Sequence, residues 1–170
     1  MKDNFDACFD LMIKHEGGYV NHKLDPGGRT NLGVTQRVWE EYTGKTANEA
    51  EMRSLTKDKV KPLYRKNYWD KVRGDDLPKG VDYAVFDYAV NSGPGRAART
   101  LQRVVSVAQD GAIGPKTLEK VSDANPRELV QDICEQRMRF LQSLSTWDTF
   151  GRGWKRRVDE VEEIAFKMAT

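Results

Sequence analysis

At 170 residues, with 38% hydrophobic and 32% charged residues, the chain has the composition of an ordinary soluble globular protein and can bury a core without disulfides or metals. A net charge of +2 gives no sign of a nucleic-acid binder, and no apolar run approaches the length of a membrane span, so no stable membrane insertion is expected. Cys8 and Cys134 are too few for a disulfide framework and form no Cys-x-x-Cys pair. Both fall at apolar helical positions, where buried thiols are the default reading and one long-range bridge is the alternative.

The opening MKDNFDACFD is acidic where a secretory signal would be basic, so no signal peptide is expected and the protein is expected to stay in a cytoplasm until released. Phe5, Cys8, Phe9, Met12 and Ile13 recur at i, i+3, i+4, i+7 and i+8, which predicts an amphipathic helix capped by Asp3 or Asn4. Glu16, about three turns beyond Phe5 at roughly 3.6 residues per turn, continues the apolar face. Gly17 and Gly18 follow at once and predict a left-handed helix stop. From Tyr19 to Val34 the helical period is lost. Extended pieces at 19–22 and 29–34 flank Asp25-Pro26-Gly27-Gly28 and predict one small hairpin, the only sheet expected.

Thr35 reads as the N-cap of a helix carrying Val38, Trp39 and Tyr42 that Gly44 stops. A polar connection leads to Thr56 and a helix with Val60, Leu63, Tyr64 and Tyr68, which Pro62 is expected to kink. After a turn at 75–78, Leu77, Val81, Ala84, Val85 and Tyr88 mark a strongly apolar helix ending at Asn91-Ser92-Gly93. A helix from about Arg96 turns Ala97, Ala98, Leu101, Val104, Val105 and Ala108 inward, and a short one holds Leu118 and Val121. Asn125-Pro126 with Glu128 is a strong start signal for a helix expected to bury Leu129, Ile133, Cys134, Phe140, Leu141 and Leu144. Trp154, Val158, Val161, Ile164, Ala165 and Met168 give the last helix. The basic run 150–157 suits either approach to an anionic surface or a solvated helix start. The expected fold is mainly α with one small hairpin: a single domain, 1–170, with approximate lobes 1–75 and 76–170.

Two carboxylates nine positions apart carry the chemistry. A carboxylic acid that donates a proton near neutral pH needs a raised pKa, and both an apolar face and the negative end of a helix act in that direction on Glu16. Asp25 could face Glu16 across the hairpin as the second acid of a glycoside-hydrolase pair, although aspartate also starts turns. Their separation is not fixed by sequence, so retaining and inverting outcomes stay open. Thr30 and Thr35 supply hydroxyls for the attacking water, with Thr30 favoured because Thr35 is needed as a cap. Tyr19 is placed to pack on a sugar ring, whereas Tyr42, Tyr64, Tyr68 and Trp154 keep helical register as core and Trp69 is unassigned. His15 and His22 are the only histidines, and His-Glu-Gly-Gly-Tyr is not a zinc signature, so no metal or cofactor is expected. There is no Gly-x-Ser-x-Gly elbow and no phosphate-binding loop.

The stretch HEGGYVNHKLDPGGRTNLGVT at 15–35 resembles the family 108 glycoside hydrolases, N-acetylmuramidases with a lysozyme-like fold. YRKNYWD at 64–70, FDYAVNSGPGRAARTLQ at 86–102, QDGAIGPKTL at 109–118 and FGRGWKRRV at 150–158 resemble further blocks of that family. The resemblance implies hydrolysis of the β-1,4 bond between N-acetylmuramic acid and N-acetylglucosamine in peptidoglycan glycan strands. It implies Glu16 as general acid, with Asp25 and Thr30 matching the aspartate and threonine that phage-type lysozymes place around a hairpin, and Thr35 one alternative for the hydroxyl. Asn91 resembles a position lining the cleft, its other reading being a helix C-cap, and the C-terminal half resembles a predicted peptidoglycan-binding region. Size and lack of a separate wall-binding module resemble phage endolysins, monomers that wait in the host cytoplasm until a holin opens the way to the periplasm. A lytic transglycosylase and a non-catalytic wall-binding protein are the alternatives.

Overall fold

A computed structural model describes residues 4–21 and 28–170. Helix α1 (Phe5–Ile13) forms on the predicted apolar spacing, and Phe5, Cys8, Phe9, Met12 and Ile13 are all buried. It stops three residues before Glu16. The amides of His15 and Glu16 donate to the Met12 and Ile13 carbonyls at 3.0 and 3.1 Å, so a tightened turn satisfies the last carbonyls. No left-handed residue is then required, and neither Gly17 nor Gly18 is one, contrary to the glycine stop that the sequence predicts. Of the two predicted caps, Asp3 lies outside the described residues, and the side-chain amide of Asn4 donates to the buried carboxylate of Asp82 at 2.9 and 3.1 Å.

The chain divides into two compact units, Phe9–Arg65 and Met1–Cys8 with Lys66–Thr170. In the first, β1 (Val20–Asn21), β2 (Arg29–Asn31) and β3 (Val34–Thr35) form an antiparallel sheet in sequence order. The predicted second strand, 29–34, is thus two strands, because Leu32 and Gly33 both turn left-handed, with φ of 53° and 76°. That pairing of positive φ values is what a two-residue hairpin turn of matching twist demands. For Leu32 it costs on the order of 1 to 3 kcal/mol. Two hydrogen bonds offset it: the Leu32 amide donates to the Gly17 carbonyl at 2.9 Å, and the Tyr64 hydroxyl donates to the Leu32 carbonyl at 2.7 Å.

Helix α2 (Gln36–Thr43) is bounded as its sequence predicts. Thr35 Oγ1 accepts from the Val38 amide at 3.1 Å, and Gly44, at φ 75°, closes the other end. A short α3 (Glu49–Arg53), capped by Asn48, occupies the stretch expected to be a polar connection. It buries only Met52, too little apolar signal to announce a helix. Buried Asn31 ties the sheet to it by donating to the Met52 carbonyl at 2.9 Å. Helix α4 (Lys57–Tyr64), capped by Thr56, accommodates Pro62 and passes into a π-helical turn at Arg65–Trp69.

The second unit is built on α5 (Val81–Ser92), in which every side chain from Val81 to Ala89 is buried. Around it in sequence come α6 (Pro94–Val104), α7 (Pro115–Asp123), α8 (Pro126–Gln142) and α9 (Trp147–Met168). Asn125 caps α8, accepting from the amides of Arg127 and Glu128. Helix α6 ends before Ala108, and α9 begins a full two turns before Trp154.

Burying a helix on all sides also buries its aspartates, and each has compensating partners. Asp82 accepts from Asn4 and from the Gly80 and Tyr83 amides; burial pushes its carboxyl up, and these donors counter only part of that. Asp87 lies 2.9 Å from Arg137 Nη1 and accepts from Arg157 at 3.0 and 3.1 Å. Burial alone would raise its pKa, but the two guanidinium groups outweigh it and hold the carboxyl below the ordinary range. Cys8 and Cys134 are both buried free thiols; burial pushes Cys8 up and Cys134 up to about 12. Trp69, unassigned by sequence, is fully buried; its ring lies against Gly74 and its Nε1 donates to Asp75 at 3.0 Å.

Candidate active site

The turn between β2 and β3 is the point on which the site residues of the Phe9–Arg65 unit converge. A Cβ at Gly33 would lie 2.7 Å from Glu16 Oε2 and 2.5 Å from the Tyr64 hydroxyl, so both groups close on this one bare backbone position. Only glycine suits it, for space and for its φ of 76° alike. The half-buried Glu16 carboxylate is therefore seated against a rigid turn that Tyr64 pins from below through Leu32. Tyr64 is itself fixed by packing on Phe9, ring centroids 5.8 Å apart. Among the described residues, nothing lies within 4 Å of a Cβ placed on Gly17 or Gly18, and both are exposed. A carboxylate held firmly at the edge of open space can meet a bulky substrate and transfer a proton to it.

The two threonines are register partners, Thr30 opposite Thr35, so their side chains share one face of the sheet while Asn31 and Val34 fill the other. Their hydrogen bonds differ. Thr35 Oγ1 is engaged as the cap of α2, whereas Thr30 Oγ1 donates only a long bond, 3.4 Å, to the Val20 carbonyl. Val20 in turn pairs with Thr30 across β1 and β2.

Tyr19 is half-buried, with the Arg53 guanidinium 4.1 Å above its ring centre, so one of its two faces is already covered. Its hydroxyl is buried and has no hydrogen-bond partner among the described residues. Asp25 and His22 lie outside the described residues. Asn91 belongs to the other unit, in the last turn of α5, and its side-chain oxygen accepts from Arg137 Nη2 at 3.1 Å. It is not the helix cap, a position that Gly93 takes at φ 97°.

Sequence reasoning missed Tyr64 and Gly33. Helical register marks Tyr64 as core, and most of it is core; only its hydroxyl reaches the turn. Asn31-Leu32-Gly33-Val34 did carry a usable signal, a glycine at the second central position of a tight hairpin between extended residues. Among the described residues, no group of three or more His, Cys, Asp or Glu could hold a metal ion, and no helix is long and apolar enough to cross a membrane. The basic run 150–157 is not a uniform patch: Lys155 pairs with Asp159, and Arg157 turns inward to Asp87.

Comparison with known proteins bears on both units. Residues 9–93 match the family model described as Glycosyl hydrolase 108, and residues 96–159 match one described as Predicted Peptidoglycan domain. No curated protein sequence matches. Among solved structures, that of Brucella abortus SagA is 44% identical, covers 99% of this chain and 97% of its own, and superposes with a TM-score of 0.89.

Proposed function

The chain belongs to the glycosyl hydrolase 108 family of peptidoglycan-acting enzymes, and from that premise we propose that it hydrolyses the β-1,4 bond between N-acetylmuramic acid and N-acetylglucosamine, with Glu16 as general acid. The observation that carries this reading is the seat of Glu16: a half-buried carboxylate fixed against Gly33 at the rim of open backbone, inside the matched segment.

In the proposed reaction, Glu16 gives its proton to the glycosidic oxygen as the bond from that oxygen to the muramic acid C1 breaks. Positive charge grows at C1 and is countered by Asp25, the second carboxylate of the same segment. Water then supplies hydroxide to C1, held by a threonine hydroxyl of the β2 and β3 face, and the water's remaining proton passes to a carboxylate. Thr30 suits the water-holding role better than Thr35, whose oxygen is engaged with the Val38 amide. Tyr19 packs against the sugar through its ring, one face of which the Arg53 guanidinium holds. Asn91 is proposed to bind glycan through its amide nitrogen, its oxygen being engaged with Arg137.

The test is digestion of purified peptidoglycan by wild type and Glu16→Gln, with products resolved by mass spectrometry. New reducing muramic acid ends from wild type, absent with a folded Glu16→Gln, are expected. Anhydro-muramic ends from wild type would instead make the protein a lytic transglycosylase, and release by Glu16→Gln at the wild-type rate would remove Glu16 from the chemistry.

A further inference from the structure

The second unit holds a cavity of about 460 Å³ whose walls are unusually basic. Arg96, Arg99 and Arg103 stand at i, i+3 and i+7 on α6 and so share one stripe of the helix; Arg139 and Phe140 face them from α8. Other helices of this unit pair some of their cations along the same helix: Arg139 with Glu135, Lys155 with Asp159, Lys167 with Glu163. Helix α6 contains no acidic residue. Among the described residues, Arg96, Arg99 and Arg103 form no ion pair, and of the four only Arg139 does, with Glu135 at 2.6 Å.

Neutral groups fix Arg96 and Arg103 without cancelling their charge. Arg96 lies over the Phe140 ring, 3.9 Å from its centre, which orients the guanidinium and leaves its edge donors available. Arg103 donates to the amide oxygens of Gln109 at 3.3 Å and Gln136 at 3.5 Å. A stripe of like charge on one helix is unfavourable by itself, so pre-oriented, uncompensated guanidinium groups around a cavity are the arrangement of an anion receptor.

We propose that this cavity binds the free carboxylates of peptidoglycan peptide stems. The choice of substrate rests on the activity proposed above. The neutral glycan backbone offers no match for four guanidinium groups, whereas peptide stems end in carboxylates and carry further ones on side chains. Phe140 and Tyr88 in the same wall suit the small apolar side chains that lie between them.

The experiment measures sedimentation of full-length protein with purified sacculi, and with sacculi whose stem carboxylates have been converted to amides. Arg99→Gln with Arg103→Gln is compared with a charge-matched control, Arg152→Gln with Arg156→Gln, on the exposed side of α9. The pocket variant is expected to bind untreated sacculi about tenfold more weakly, as loss of charge-assisted hydrogen bonds implies, and to bind amidated sacculi as wild type does. The control is expected to change by less than about twofold. Equal binding by pocket variant and wild type, or equal losses in pocket variant and control, overturns the proposal. Should the pocket variant not fold, competition decides: soluble stem peptide must displace wild type from sacculi and its fully amidated form must not. Displacement by inorganic phosphate but not by stem peptide would assign the cavity to phosphate and overturn the proposal. Reducing ends from amidated sacculi are scored in parallel, so a failure of hydrolysis is seen separately from a failure of stem binding.

Discussion

Two carboxylates, Glu16 in the Phe9–Arg65 unit and Asp87 in the other, show opposite uses of the same group. Asp87 is fully buried between Arg137 and Arg157, its charge committed to holding α5, α8 and α9 together. Glu16 is half-buried and positioned by shape, seated against a glycine turn that Tyr64 and Gly17 anchor through Leu32. A charge locked by charge gives structure; a half-buried carboxylate seated at a turn is placed to meet another molecule. The same contrast holds for arginines, since Arg137 is locked while Arg96 and Arg103 are oriented by neutral groups.

The sharpest way to break this comparison is at its two carboxylates. Glu16→Gln is expected to lower release of reducing ends by about 10²- to 10⁴-fold, the usual worth of a general acid, with an unchanged urea midpoint. Asp87→Ala is expected to do the reverse, destabilising by about 3 to 5 kcal/mol in urea unfolding because it leaves two arginines without their counter-ion. The pH dependence carries the same sign. A carboxyl whose pKa is depressed in the fold stabilises above the ordinary carboxylate value of 3.8, and that stabilisation disappears as pH falls through its folded value. Asp87→Asn is therefore expected to flatten the acid limb of stability against pH. An acid limb as steep as that of wild type would deny Asp87 its anchoring role.

Smaller effects test the seat itself. Gly33→Ala combines a strained φ with a collision against Tyr64 and Glu16, and is expected to cost about 1 to 3 kcal/mol of stability and to slow digestion beyond what the unfolded fraction explains. Activity that merely follows the folded fraction would reduce the turn to architecture. Tyr64→Phe removes the hydrogen bond to Leu32 and is expected to cost about 0.5 to 1.5 kcal/mol by thermal unfolding. The threonines separate by readout: Thr35→Ala is expected to lose about 1 kcal/mol of stability with the cap of α2, and Thr30→Ala to lose activity at near-constant stability. Loss of activity confined to Thr35→Ala, corrected for folding, would exchange their roles.

What the chain spells out locally, the sequence made legible. Thr35 and Gly44 bound α2, Thr56 opens α4 and Asn125-Pro126 opens α8, because each cap bonds to an amide or carbonyl only two to four residues away. What depends on distant partners was hidden. The split of 29–34 into two strands is supported by a hydroxyl 32 residues downstream, and Asn31 is buried to reach α3, 21 residues away. The early stop of α1 likewise depends on bonds that no single residue advertises. Glu16 was legible as a candidate because its motif is compact, but what holds it, Gly33 and Tyr64, comes from two other segments. Its motif partner Asp25 lies outside the described residues.

The placement of the sulfur atoms has a practical consequence. Both thiols are buried and sit in the Met1–Cys8 and Lys66–Thr170 unit, and Phe9–Arg65 contains none. Burial keeps each protonated near neutral pH, so an alkylating reagent reacts with neither until α1 or α8 swings its sulfur into water. The rate of alkylation under native conditions is thus a clock for the exposure of α1 and α8, read without a label.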